Sequence, residues 1–252
     1  MLLATWRPFL AGLILLAAFG RGQAAEATVA VAANFAEPMR AIADVLRKTT
    51  GHTLEVSVGS TGRLYAQVRN GAPFDVMLSA DQNAPQQLES DGLAVPGSRF
   101  TYAIGKLVLW SADAARVDNR GDVLRSATWR KLAIANPKTA PYGAAAIEAI
   151  DRLGLSADIT ARLVQGESIG QAFNFVFTGN AELGFVAMSQ VLEGGRLKAG
   201  SMWLVPQRLY TPIRQDAVLL KRGANNEAAR ALMQLLRSEN VKALIRSYGY
   251  DL

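Results

Sequence analysis

Apolar residues along this chain come in short runs that stop at a small or polar residue and then change period. Thr28-Val29-Ala30-Val31-Ala32 is the first. Two valines among small residues suit a strand covered on both faces. The run ends at Ala33-Asn34, and Met39, Ile42, Val45 and Leu46 then fall on one face of a helix over 35–48. Asn34 is a favoured N-cap, Glu37 three residues on completes a capping-box pattern, and Pro38 is tolerated in the first turn. The pattern repeats. Residues 54–58 alternate as a strand, break at Gly59-Ser60-Thr61-Gly62, and lead into a helix carrying Leu64, Tyr65 and Val68. Phe74–Ser79 reads as a third strand, with Asp81 and Pro85 opening another helix. Such alternation predicts an open, mostly parallel α/β sheet.

The run over 99–110 differs, being long and β-rich with Gly105 inside it. A second such run, 215–220, lies near the end. Between them is another α/β set. Strands are expected at 132–135, 162–164 and 183–187, and helices at 144–153 and, after the stretch 166–171, on to Thr178. Helices over 226–236 and 240–248 close the chain. The chain is therefore expected to leave one lobe, build a second and return. Lobe one is placed at 26–106 plus 213–252 and lobe two at 107–212, with the two crossing runs, near Lys106 and Ile213, as hinge. Ligands favour the cleft between such lobes and the carboxyl ends of parallel strands.

Four strand tips meet that description: Ala33-Asn34, Ser60-Thr61, Pro141-Tyr142 and Ser168-Ile169, two from each lobe. Each opens a helix, so each presents free N–H groups at the positive end of a helix dipole. Together they add one carboxamide and the hydroxyls of Ser60, Thr61, Tyr142 and Ser168. No Lys, Arg or His stands at the tips, and Glu167 is the only adjacent acid. Any one tip reads equally well as a helix cap; the two-plus-two arrangement points to an anion held by neutral dipoles.

Composition narrows the picture. The 252 residues are 50% hydrophobic, enough for sizeable cores. The formal charge of +6 is interspersed with acids and contains no basic run of the kind that tracks nucleic acid. Residues 1–25 are laid out as a secretory signal, with Arg7, an apolar stretch over 9–19 and a small-residue exit between Ala24 and Ala27. That stretch is too short for a stable membrane anchor. With no cysteine, disulfides, thiolate metal sites and a lipoprotein-type anchor are excluded. A free periplasmic monomer without cofactor is expected. His52, the only histidine, follows Gly51 at a turn and reads as a surface residue.

The chain also resembles the periplasmic molybdate-binding proteins of ABC-type importers, over essentially the whole mature length. The matching stretches are Val31-Ala32-Ala33-Asn34-Phe35, Gly59-Ser60-Thr61-Gly62, Asn70-Gly71-Ala72-Pro73-Phe74-Asp75-Val76, Leu78-Ser79-Ala80-Asp81, Pro141-Tyr142-Gly143 and Leu183-Gly184-Phe185-Val186. The Gly-Ala-Pro to Ser-Ala-Asp segment is the most specific. The resemblance implies a two-lobed, class II periplasmic-binding fold that closes on one tetrahedral oxyanion, molybdate and with it tungstate, and delivers it to a membrane permease. By motif match the ligand positions are Asn34, Thr61, Tyr142 and Ile169, the last through its N–H; Ala33, Ser60 and Ser168 could add further bonds. The commoner family pattern has a ligand Tyr where this chain has Ala187, so the phenol is read as moved to Tyr142.

Three rivals remain open. A binder of sulfate or phosphate is the nearest, and a phosphate proton would need an acceptor such as Asp81 or Glu167. The effector domain of a transcription regulator fits the fold, but not the leader. An enzyme would have to use Asp75 with Asp81, which read more simply as capping residues.

Overall fold

The computed structural model describes residues 24–126 and 128–252; the expected leader up to residue 23 lies outside the described residues. In chain order the first elements are β1 (Glu26–Ala32), α1 (Ala36–Thr50), β2 (Thr53–Gly59), α2 (Thr61–Arg69), β3 (Val76–Leu78), α3 (Asn83–Ser90) and β4 (Phe100–Gly105). Then come β5 (Leu107–Ser111), β6 (Leu132–Ala135), α4 (Pro141–Arg152), α5 (Ser156–Ile159), β7 (Leu163–Gly166), α6 (Ile169–Phe177), β8 (Leu183–Ala187) and α7 (Met188–Val191). A two-residue hairpin pair, β9 (Leu192–Glu193) and β10 (Arg196–Leu197), precedes β11 (Ser201–Leu204), β12 (Ile213–Leu219), α8 (Glu227–Leu235) and α9 (Glu239–Ser247).

Two five-stranded sheets result, in the orders β2-β1-β3-β12-β4 and β11-β5-β8-β6-β7. The chain passes from the first sheet to the second at Lys106, between β4 and β5, and returns between β11 and β12. These are the crossings read from the long β-rich runs. Each sheet is mixed. β1 runs parallel to β2 and β3, and β6 parallel to β7 and β8. The crossing strands enter antiparallel, β12 against β3 and β4, and β5 against β8 and β11. The expectation of mostly parallel sheets holds only for the strand–helix repeats, because a strand that returns from the other sheet arrives in the opposite direction. The short strands β9, β10 and β11 carry no periodic signal long enough to be read from sequence.

β1 is central in its sheet and shows why apolar runs were legible: Val29, Ala30 and Val31 are fully buried, covered on both faces by helices. Its end is built differently from the expected capping box. Residues Ala33–Phe35 form a turn of 3-10 helix, Phe35 occupies the N-cap of α1, and no side chain caps that helix. Glu37 instead pairs with Arg40 on the surface. Phe35 is the anchor of this turn, fully buried with its ring edge-on to Tyr102 at 4.7 Å and to Tyr250 at 5.5 Å. Burying such a ring is worth about 1.5–3 kcal/mol, and it frees Asn34 from capping and turns it inward.

Polar side chains buried in the first sheet are matched with partners. Asp216 is fully buried on β12, where it accepts from Arg99 Nη1 at 2.6 Å, Thr101 Oγ1 at 2.7 Å and Gln82 Nε2 at 3.2 Å. The β12–β4 register slips between Gln215 and Asp216. Such a slip re-aims side chains, and both residues end up buried. Asp75, one member of the carboxylate pair weighed for an enzyme, is a tie between elements. Its carboxylate accepts from the Thr28 N–H at 2.8 Å and Asn226 Nδ2 at 3.3 Å, and pairs with Arg222 at 2.8 Å. Asp81 caps α3, accepting from the Ala84 N–H and Ser79 Oγ, both at 3.0 Å. Among the described residues no helix is long and apolar enough to cross a membrane. His52 sits at the α1–β2 turn and accepts from the Ala25 N–H at 3.1 Å.

Removing the Asp75 carboxylate leaves the partly buried Thr28 N–H without its acceptor and frees Asn226 and Arg222. Each buried group left unmade costs about 1–3 kcal/mol. Asp75→Ala should therefore lower the unfolding free energy by about 3 kcal/mol in urea titration, and Asp44→Ala, on the surface of α1, by about 0.5 kcal/mol or less.

Candidate functional site

All four tips stand where a strand of one sheet ends and a helix begins, and the two sheets face each other there. Ala33-Asn34 follows β1, Ser60 and Thr61 join β2 to α2, Pro141 and Tyr142 open α4, and Ser168 and Ile169 open α6. Several direct contacts bring them together. The Gly62 N–H, in the first turn of α2, donates across to the Thr139 carbonyl at 2.9 Å. That approach is close: a Cβ at Gly62 would lie 3.1 Å from Thr139 Cα, so a side chain there would press the two segments apart by a few tenths of an ångström. A Cβ at Gly170 would lie 3.5 Å from Ala33 Cβ, so the α6 tip abuts the β1 tip. Ala32, Ala80, Tyr142 and Ile169 belong to one apolar cluster that continues from the second sheet to the first.

The hydroxyl chemistry at these tips is one-sided. Thr61 Oγ1 accepts from the Ala80 N–H at 3.0 Å and lies 3.5 Å from Ser79 Oγ. Tyr142 is 1% exposed, and its Oη accepts from Gln215 Nε2 at 3.2 Å. Each oxygen is therefore engaged as an acceptor and keeps its own proton to donate, with Tyr250 beside the Tyr142 phenol as an internal hydrogen-bond partner. Burial pushes the Tyr142 phenol well above the ordinary tyrosine range, which keeps that proton in place at any physiological pH. Helices α2 and α4 have no side-chain cap. Gly62 and Gly143 give their N–H groups to the Thr139 and Ala140 carbonyls, and the Thr61 and Tyr142 N–H groups at the two helix starts have no capping side chain. α6 is capped by Ser168, which accepts from the Gln171 N–H at 3.3 Å and leaves the Ile169 N–H without an intrahelical acceptor. Donors predominate, which suits an anion and does not suit a cation.

Asn34 behaves differently from the sequence reading. Its Nδ2 donates to Gln215 Oε1 at 2.8 Å and to Tyr250 Oη at 2.9 Å, so both amide protons are spent inside the protein. Its carbonyl accepts from Ser189 Oγ at 2.7 Å. Oδ1 is buried with no donor among the described residues. What Asn34 has left to offer a ligand is main chain. Ala187 is fully buried in β8, and its N–H donates to Gln190 Oε1 at 3.0 Å. The Gln190 amide in turn donates to the Ile169 carbonyl at 3.1 Å, which fixes the α6 tip.

Two cavities flank the tips. One, of about 580 Å³, is lined by Thr61, Asp81, Thr139 and Pro141; the other, of about 630 Å³, by Ala33, Asn34, Glu167, Ser168 and Gly170. Tyr142 and Ile169 line neither and are sealed between them. The Tyr142 hydroxyl is therefore closed off from solvent, the cleft being shut around it. Asp81 spends its carboxylate on capping α3, and Glu167 is exposed. Sequence reading missed Gln215, Tyr250 and Ser189, all buried and all bonded to Asn34. The one available signal was Gln215-Asp216, two polar residues in succession at the head of an apolar strand.

Residues 27–251 match the family described as bacterial extracellular solute-binding protein. The chain belongs to that family. It is 54% identical over 242 residues to the molybdate-binding protein ModA of Azotobacter vinelandii, covering 96% of this chain and 94% of that one. It is 51% identical over 247 residues to the ModA of Rhodobacter capsulatus, covering 98% and 94%. Its fold is similar to the structure of the Azotobacter vinelandii periplasmic molybdate-binding protein, with TM-score 0.87, 44% identity, and coverage of 90% and 99%. The resemblance drawn from the tip motifs is thus borne out, and so is the two-lobed fold it implied.

Tyr142→Phe removes the acceptor of Gln215 Nε2. It should lower the unfolding free energy of the ligand-free protein by about 1–3 kcal/mol. Tyr65→Phe, on α2, should leave the denaturation midpoint unchanged within about 0.5 kcal/mol.

Proposed function

We propose that this chain captures molybdate between its two lobes and hands it to the permease of an ABC importer, performing no chemistry on it. The observation that carries this reading is the donor set: two hydroxyls with spent acceptors, Thr61 from the first lobe and Tyr142 from the second, beside uncapped helix starts. A fully ionised oxyanion needs donors on every side, and neutral dipoles supply them without a counter-charge. The ligand positions are Asn34 through its main chain, Thr61, Tyr142, and Ile169 through its N–H, with Ala33, Ser60 and Ser168 adding bonds at the rim. The identity to molybdate-binding proteins across almost the whole chain supports the choice of anion. Tungstate, which has the same shape and charge, is proposed as a second ligand. The chain works as a free periplasmic monomer, its lobes being 26–106 with 213–252, and 107–212, opening about Lys106 and the stretch before Ile213.

Asn34 Oδ1 is an unmet acceptor at the tips, so hydrogen phosphate, which carries a proton to give, is the competitor to include. Calorimetric titration should show molybdate and tungstate binding tightly. Sulfate has shorter bonds to oxygen and would leave two or more donors unpaired. It should bind at least about 4 kcal/mol more weakly, close to a thousandfold. Affinity should be flat from pH 6 to 9, because the donors are hydroxyls and amides. Equal affinity for sulfate or phosphate would sink the assignment. Tyr142→Phe should cost about ten- to a hundredfold in molybdate affinity, the worth of one hydrogen bond to a charged group. Small-angle scattering should show a more compact particle with molybdate than without; identical profiles would count against closure.

A further inference from the structure

Gln215 lies on β12 and is fully buried, and its carboxamide has its bonds on both sides of the lobe boundary. Oε1 accepts from Asn34 Nδ2 at 2.8 Å and from Tyr102 Oη at 3.1 Å, both in the first sheet's lobe. Nε2 donates to Tyr142 Oη at 3.2 Å, at the start of α4 against the second sheet. The two carboxamides are matched as a pair: reversing Gln215 alone would set its N–H against Asn34 Nδ2, donor against donor. Asn34 is held from its other side by Tyr250, which accepts from Nδ2 at 2.9 Å and lies 3.0 Å from Ser189 Oγ. Space is reserved for this contact. A Cβ at Gly105 would collide with both Tyr142 Oη and Gln215 Nε2.

We propose that Gln215 is a positioning residue of the anion site, which occupies the acceptor side of the Tyr142 phenol and thereby commits its proton to the bound oxyanion. This rests on the reading of Tyr142 as a ligand. Without the Nε2 donor, the phenol can turn its proton toward Gln215 Oε1 or another internal acceptor, and the anion loses a donor without any change in the residues that touch it. The same bond exists only while the lobes are together, so Gln215 also reports closure to the site. Gln215 does not contact the ligand; its effect passes through Tyr142.

A double-mutant cycle on the full mature chain tests this. The parent is titrated first with molybdate and with sulfate; that titration judges the proposed function, and the cycle uses whichever anion the parent binds. Gln215→Met, of similar shape, should weaken binding roughly tenfold in the parent and less than about twofold in the Tyr142→Phe background, since coupled residues are not additive. Equal cost in both backgrounds, or no cost in the parent, overturns the proposal. Gln215→Glu provides a readout that packing alone would not move. Its carboxyl, when protonated, can donate to Tyr142 Oη as the amide does, and burial raises its pKa. Its affinity should rise toward the parent's as pH falls from 8 to 5.5, while the parent's stays flat. An affinity that does not rise overturns the proposal, including where Gln215→Met fails to fold. A parent that binds neither anion overturns both readings.

Discussion

One hydrogen-bond chain, Asn34–Gln215–Tyr142, ties the end of the central strand of one sheet to the first turn of a helix packed on the other. Much of the site depends on it. Asn34 does not cap α1, its amide being held here; Phe35 stands at the N-cap position, and the turn before the helix is 3-10. Gly105 must lack a side chain because the phenol and the carboxamide meet against it. The β12 register slip beside Gln215 leaves Gln215 and Asp216 both buried, and each is matched by partners on neighbouring elements.

The energetic logic follows from what is left over. In a buried polar network each unmet group is costly, and a fully met one specifies a single arrangement. Here the acceptors are largely consumed internally, as at Thr61 Oγ1, Tyr142 Oη, Gln215 Oε1 and the Asn34 carbonyl. The donors at helix starts remain. On the proposed reading, surplus N–H and O–H groups at the tips select a ligand by size and full ionisation, because an anion too small to reach both lobes leaves donors stranded. Asn34 Oδ1 and Thr139 Oγ1 are exceptions, buried with no partner among the described residues.

The carboxylates that could have suggested chemistry have structural work instead. Asp75 fastens β1, the 3-10 turn before α8 and the start of α8 to one another. Asp81 caps α3, and burial raises its pKa despite the hydrogen bonds that oppose the shift. Both lie in the segment that carries the most specific family resemblance, so that segment marks the fold more than the ligand.

Strand–helix alternation, the two crossing runs and the four tips were legible in the sequence because each rests on local rules: period, breakers and the residues that favour helix starts. Strands 132–135 and 183–187 were placed to the residue, since both are short apolar runs with clear ends. The antiparallel entry of β5 and β12 was not legible, because strand direction depends on where the chain returns from. Asn34 reads by local preference as an N-cap, and only tertiary packing overrides that, since its partners Gln215 and Tyr250 lie 181 and 216 residues away. The identity of the tips was thus a property of the sequence. Which of their protons remain for a ligand was decided by the tertiary structure, because a hydroxyl's direction is set by the donor across from it, and that donor comes from the far end of the chain.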